Sequence, residues 1–268
     1  MRAFTGDLAN GQVTARGNPC TVVVASTKAA AVPIRSPVTS DITQCYTWPK
    51  GDRAAHVSCY TAAGTPILCC GHGLLSCAAV WTSYWGGQGS LQAGETTLLC
   101  KWQDDALWLG FPKVPSADSP AQNSLVPDWL EPLLAVPVVS CREVGDTQGY
   151  LIAELEADCD LRNLEPPGDS LIQYTRRALI VTCRSKATSS EAGERFHFRY
   201  FAPQYGVPED AATGSAMRLL TSYWQQLAVG GKVLALQCSP AGGWLRGCIT
   251  QDRVWIGGDV EAEVGTSV

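Results

Sequence analysis

Histidine is scarce in this sequence, three in 268 residues, and charge of either sign is thin at 17%. The formal net charge is -5 and the pI is about 5.2, with no block of like charges. That argues against nucleic acid and anionic membrane as partners, since both reward a basic patch. No apolar run is long enough to span a bilayer, and Met1–Asp7 carries no apolar signal region. The expectation is a soluble cytoplasmic protein. No glycine-rich dinucleotide fingerprint follows a strand, and no phosphate-loop lysine is present, so no cofactor is expected. The paired Cys-x-x-Cys spacing of zinc sites is also missing.

Cysteine, in contrast, is abundant: twelve residues. Without an export signal these read as reduced thiols, mostly small buried hydrophobes. The nearest metal candidate in sequence is Cys69, Cys70, His72 and Cys77. Its first three members are too crowded for easy tetrahedral chelation, so no metal is expected.

Two stretches share one design. Pro208-Glu209-Asp210-Ala211-Ala212-Thr213-Gly214-Ser215 runs into an amphipathic segment, and Cys69-Cys70-Gly71-His72-Gly73 runs into another. Each reads as a loop feeding a helix. The first N–H groups of such a helix have no internal partner, and the macrodipole adds partial positive charge there. Each start is therefore suited to an anion such as a carboxylate. Asp210 or Thr213 can cap the second helix. A third stretch, Gly17-Asn18-Pro19, reads as a turn entering a buried strand.

Taken in order, Gly-Asn-Pro at 17–19, Cys-Gly-His-Gly at 70–73, and Arg199–Pro203 leading to Glu-Asp-Ala-Ala-Thr-Gly-Ser-Ala resemble the PhzF-like (phenazine biosynthesis) family. That family has the diaminopimelate epimerase-like fold. The resemblance implies an α+β protein of two similar halves, each a mostly antiparallel, barrel-like sheet wrapped around one central helix. The halves are expected at 1–115, with a helix over about 72–85, and at 116–268, with a helix over about 214–228. The last strand has the option of returning to the first half. The resemblance also implies a homodimer, and a substrate cleft where the two helix starts face each other.

The remaining pattern fits that outline. Strands are predicted at 3–7, 21–25, 42–47 and 54–61, with Gly51-Asp52 as the turn between the last two. The prolines at 33 and 37 speak against a helix through Lys28–Thr39. A hairpin is predicted at 96–102 and 106–111, a proline-rich linker over 112–128, and a short helix near Trp129–Leu134. Strands then recur at 137–143, 149–156, 178–184, 195–201, 233–239, 244–250 and 253–257. In 195–201, alternation puts Phe196, Phe198 and Tyr200 on one face and His197, Arg199 and Phe201 on the other. Gly86-Gly87 and Gly230-Gly231 are the expected helix stops. Thr-Ser-Tyr-Trp occurs in both central helices, at 82–85 and 221–224, and hints at an internal repeat.

The resemblance implies an isomerase that moves a proton near a carboxylate. Backbone N–H groups around Gly71, His72 and Gly73, and around Gly214 and Ser215, would hold the carboxylate. His72 and Asp210 match the family histidine and aspartate, and Asn18 is a candidate hydrogen-bond donor to a ligand. Asp210 would position His72 or a substrate amino or hydroxyl group. Gln44 falls where the family carries its proton-carrying glutamate, and an amide exchanges no proton as an acid at neutral pH. Asp41 has the wrong strand parity to replace it. Cys70 offers a thiol at a helix start beside a histidine, which lowers a thiol's pKa. Three readings stay open: a PhzF-like isomerase on a small carboxylate, a single-thiol racemase or epimerase, and a carboxylate-binding protein without catalysis.

Overall fold

A computed structural model describes residues 1–7, 14–28, 42–67, 69–113, 125–185, 196–228 and 231–262. Asp41, most of Lys28–Thr39 and most of the expected linker lie outside the described residues.

Strands β1 (Arg2–Asp7), β2 (Thr14–Ala15) and β3 (Asn18–Val24) lead into β4 (Thr43–Gly51), β5 (Ala54–Tyr60) and the short β6 (Pro66–Ile67). Helix α1 (Gly71–Trp85) follows, then β7 (Gln88–Ala93), β8 (Thr96–Gln103) and β9 (Ala106–Pro112). The second half opens with the short helix α2 (Leu130–Leu134), β10 (Ser140–Val144), β11 (Tyr150–Glu154), β12 (Ala178–Arg184) and β13 (Phe196–Phe201). It closes with helix α3 (Gly214–Tyr223), β14 (Lys232–Gln237), β15 (Gly243–Ile249) and β16 (Arg253–Glu261).

Hydrogen bonding joins these strands in the order β10-β11-β12-β13-β14-β15-β16-β9-β8-β7-β5-β4-β3-β1-β2. The last strand pairs twice more than a simple edge would. Val254–Gly257 of β16 pair with β15, Arg253–Gly258 pair with β9, and Asp259–Glu261 turn to β1. That last pairing closes β1, β3, β4, β5, β7, β8, β9 and β16 into a barrel, and α1 packs against all eight. The second half is an open sheet of β10 to β16, with α3 lying on β15 and β16. Most pairings are antiparallel, and the final strand does return to the first half, as the family resemblance allowed.

Helix α1 lies along the barrel axis because its residues are nearly all apolar or small. Leu74, Leu75, Cys77 and Ala78 are buried in a core shared with Phe196, Phe198 and Met217 of the second half. A separate core behind the second sheet holds Leu130, Leu134, Leu179 and Phe201. The alternation read in 196–201 is therefore realised, with Phe196 and Phe198 in one core and Phe201 in the other.

In both Thr-Ser-Tyr-Trp stretches the threonine hydroxyl bonds back one turn along its helix. Thr82 Oγ1 donates to Ala78 O and Thr221 Oγ1 to Met217 O, each at 2.7 Å. Helix α3 is shorter than expected and stops at Trp224, with only a 3-10 turn at Gln225–Leu227 beyond. Trp224 is held in the core: its ring stacks on Phe196 and its Nε1 donates to Thr182 Oγ1 at 3.0 Å. Trp224→Phe removes that donor and is expected to cost about 1 kcal/mol, the usual net worth of one buried hydrogen bond. Thermal unfolding of the variant measures it.

Strand β7 was not expected, because Gln88-Gly89-Ser90-Leu91-Gln92-Ala93 has little strand propensity. It forms because β5 and β8 pair with it on either side. Among the described residues, no helix is long and apolar enough to cross a membrane.

Candidate functional site

The two central helices begin against each other. A Cβ built on Gly71 would stand 2.5 Å from Gly214 Cα, and one built on Gly214 would stand 2.9 Å from Gly71 Cα. Only two glycines allow backbones this close. Phe4 and Ile256 flank the contact, with Phe4 Cζ 3.2 Å and Ile256 Cδ1 2.8 Å from that second Cβ position. Phe4 reaches there from an irregularity in β1, where its φ is +66° and the register with β16 shifts. Bulges of this kind re-aim side chains.

Neither helix start is capped by a side chain. Cys70 and Thr213 occupy the N-cap positions, and neither makes a side-chain capping hydrogen bond. The first intrahelical bonds go from Leu74 N to Cys70 O and from Met217 N to Thr213 O. Among the described residues no side chain caps the N–H groups of the two first turns, which include those of His72 and Ser215, and they suit a ligand or water.

Asp210 lies at the mouth of the second start and is tightly held. Its Oδ1 accepts from Asn18 Nδ2 at 2.7 Å and from Ala211 N at 3.1 Å, and its Oδ2 accepts from Thr213 Oγ1 at 2.6 Å. Asn18 spends its other N–H on Ala212 O at 3.0 Å. Asn18 therefore clamps the 210–212 loop across 192 residues of sequence, and its donors are not free for a ligand. Gly17 before it has φ +67°, and a Cβ there would fall 2.4 Å from Ala3 O. Thr213 does not cap its helix, because its hydroxyl is turned to Asp210.

His72 is buried in the first turn of α1, beside Cys70. The Cys70 Sγ lies 3.8 Å from each ring nitrogen. Hydrogen bonds from the thiols of Cys45 and Cys59 pull Cys70 well below the ordinary thiol value, against its burial, and His72 adds to the effect. Burial alone would depress His72, but the negative charges of Cys70 and Asp210 outweigh it and raise the imidazole to about 9. The arrangement sets a thiol and an imidazole side by side at a helix N-terminus, a setting that favours a thiolate–imidazolium pair.

Three other groups gather at the same place. Tyr150 and Tyr200 face each other with ring centroids 6.4 Å apart. Burial raises both phenols, and the Tyr150 hydroxyl interacts with Ser215. Arg218, one turn along α3, lies over the Phe111 ring with its Nε buried and without a hydrogen-bond partner among the described residues. The i, i+3 spacing from Ser215 places Arg218 on the same side of the helix.

Gln44 does not join this group. Its Oε1 accepts from Tyr46 Oη at 3.0 Å. Tyr46 packs with Val23, Trp48 and Tyr60 on the outer side of the barrel. Strand parity then turns Cys45 inward, where Thr47 also reaches Trp81 Nε1 of α1 at 2.6 Å. The inward residue at this point is a thiol, and Gln44, the residue aligned with the family glutamate, lies on the other face of β4. Gly73 also has a different reason for being glycine: a Cβ there would meet the sulfurs of Cys45, Cys70 and Cys59 at 2.4, 2.8 and 3.2 Å. The cysteines that converge are thus Cys45, Cys59 and Cys70, from three elements, and not the local set around Cys69 and Cys77.

Residues 69–242 match the family model described as phenazine biosynthesis-like protein (PhzC-PhzF). The chain belongs to this family. The chain is similar to an uncharacterized isomerase of Halalkalibacterium halodurans, 30% identical over 203 residues that cover 72% of this chain and 70% of the relative. The human phenazine biosynthesis-like domain-containing protein is 30% identical over 211 residues, 72% of each chain. A solved PhzC/PhzF protein of Clostridium difficile superposes with a TM-score of 0.76 at 20% identity, covering 100% of this chain and 97% of that one. One of Enterococcus faecalis gives 0.71 at 22% identity over 90% and 89%. A predicted epimerase of Pseudomonas aeruginosa gives 0.57 at 18% identity, with both chains fully covered. These structures share the fold described above. Family membership and the isomerase names of relatives support an isomerase-type function.

Proposed function

We propose that this PhzF-like protein is a cofactor-independent isomerase that moves a proton on a small carboxylate bound between residues 1–115 and 116–268. One observation carries the reading. Two uncapped helix starts meet at Gly71 and Gly214, with the Cys70–His72 pair and the clamped Asp210 beside them. A carboxylate at the free amides is held by the backbone dipoles, and the charge that develops as a neighbouring C–H ionises is held by the same donors. His72 is the single proton carrier: its neutral imidazole takes the proton from one carbon, and the imidazolium so formed returns one to another. Asp210 positions the imidazolium or a substrate amino or hydroxyl group. Arg218 is the nearest cation for a second acidic group on the ligand. A homodimer in the cytoplasm is the expected form.

A second reading has its own support, the depressed pKa of Cys70. There the thiolate takes the proton and the protein is a one-thiol racemase or epimerase. Solvent deuterium exchange tests both against the third reading, a binding protein without catalysis. Wild-type protein is incubated in D2O with a panel of small amino- and hydroxy-carboxylates, and incorporation at carbon is followed by NMR. Incorporation at the carbon bearing the carboxylate, lost in Cys70→Ser, identifies the thiol mechanism. Incorporation that survives Cys70→Ser and is lost in Asp210→Asn identifies the isomerase. A bound carboxylate with no exchange at all refutes both enzymes. Gln44→Glu, facing outward, is expected to leave exchange unchanged.

A further inference from the structure

We propose that Cys45, Cys59 and Cys70 form a buried three-sulfur site for a soft metal ion, best matched by monovalent copper. The three side chains come from β4, β5 and the residue that opens α1, so tertiary packing alone assembles them. Their sulfurs all lie within 4.8 Å of one another, and Cys45 and Cys59 are 3.4 Å apart. Two thiolates on one ion, each about 2.3 Å from the metal, stand on the order of 4 Å apart. The Cys45–Cys59 distance and the 4.8 Å limit on the trio are compatible with that separation. All three sulfurs are buried, and Gly73 leaves the room they occupy.

The donor set selects the ion. Thiolates choose soft metals, and carboxylates, which would favour magnesium or calcium, do not belong to the cluster. Zinc structural sites take four ligands. Here further donors each lie beside one member of the trio, Cys20 and Cys77 beside Cys45 and His72 with its nitrogens 3.8 Å from Cys70 Sγ, but all three stand outside the set that mutually converges. Three mutually converging sulfurs suit monovalent copper. The negative charge of the loaded site is offset by the N-terminus of α1. Loading expels a proton from each of the three sulfurs that is still a thiol before it binds. The competing account is that these are three small apolar residues in a tight core.

The proposal does not rest on the isomerase reading, and its test reads metal and not turnover. Reduced full-length protein is titrated anaerobically with Cu(I) held by a chromophoric chelator of known affinity. The expected result is one copper taken per chain, with a thiolate-to-copper absorption band. Cys59→Ser, which removes a sulfur without touching His72 or Asp210, is expected to weaken binding at least 100-fold. Cys141→Ser, in the other core, is expected to bind as the wild type does. Matched thermal melts establish that both variants are folded. Wild-type protein that fails to compete with the chelator overturns the proposal. So does equal weakening by both substitutions, which would mark thiol binding of no fixed place. Should exchange activity be present, copper loading would suppress it under the thiol mechanism, whereas copper binding without any exchange would leave the metal site standing and the isomerase reading refuted.

Discussion

Replacing His72 with glutamine is expected to slow carbon-bound hydrogen exchange by about 10²- to 10⁴-fold, the range removed with a general acid or base. Glutamine keeps a hydrogen-bonding amide of similar reach but carries no exchangeable charge. Carboxylate binding, which relies on backbone N–H groups, should persist, so the loss falls on turnover more than on affinity. The same variant tests the ion pair. His72 is raised from its ordinary 6.5 to about 9. A raised pKa contributes stability that is full below about 6.5 and is lost as pH rises through about 9. Cys70 is lowered, so its contribution is full above the ordinary thiol value and is lost as pH falls through its folded value. Wild-type thermal stability should therefore decline on the alkaline side between about 6.5 and 9 relative to His72→Gln. Parallel stability curves for the two proteins across that window would remove the thiolate–imidazolium pair from the account.

Much of this was legible in the residues, and what was not has a common cause. Helix α1 was readable to its last residue because its apolar spacing, its glycine start and its Gly86 stop all agree. The phase of β13 was readable because aromatic residues alternate in it. The phase of β4 was not, since Thr43-Gln44-Cys45-Tyr46-Thr47 mixes polar and apolar side chains on both faces. The hairpin turn held the missing signal. Pairing the strands about Asp52 sets Cys45 opposite Cys59 and Gln44 opposite Tyr60, as observed. That pairing would have put the two thiols on one face. Cys70 could not have been added from sequence, because only the closure of the barrel around α1 brings it there. The role of Asn18 was hidden for the same reason, with its partner Asp210 lying 192 residues away. Arg218 gave no local signal at all, since an arginine on an amphipathic helix normally reads as solvent-facing.

Gly71→Ala is expected to destabilise the protein by about 3 kcal/mol, the upper end of the cost of overpacking a closed site. The new methyl would lie 2.5 Å from Gly214 Cα, 2.9 Å from its carbonyl carbon and 3.0 Å from its nitrogen. All three are backbone atoms at the start of a helix, so no side chain can swing aside. A fall in melting temperature of roughly 6–12 °C follows for a chain of this size. Gly214→Ala should cost less, because one of its near contacts is the rotatable Ile256 Cδ1 at 2.8 Å. Gly51→Ala, whose methyl would meet nothing within 4 Å, is the control and should change little. Relief of the Gly71 clash requires the two helix starts to separate, and separation pulls apart the amides that would share one carboxylate. Any folded fraction of Gly71→Ala should therefore lose carboxylate binding as well, measured by calorimetry with whichever panel member the wild type binds. An unchanged melting temperature would mean that the two glycines do not touch, and the shared anion site would fall with their contact.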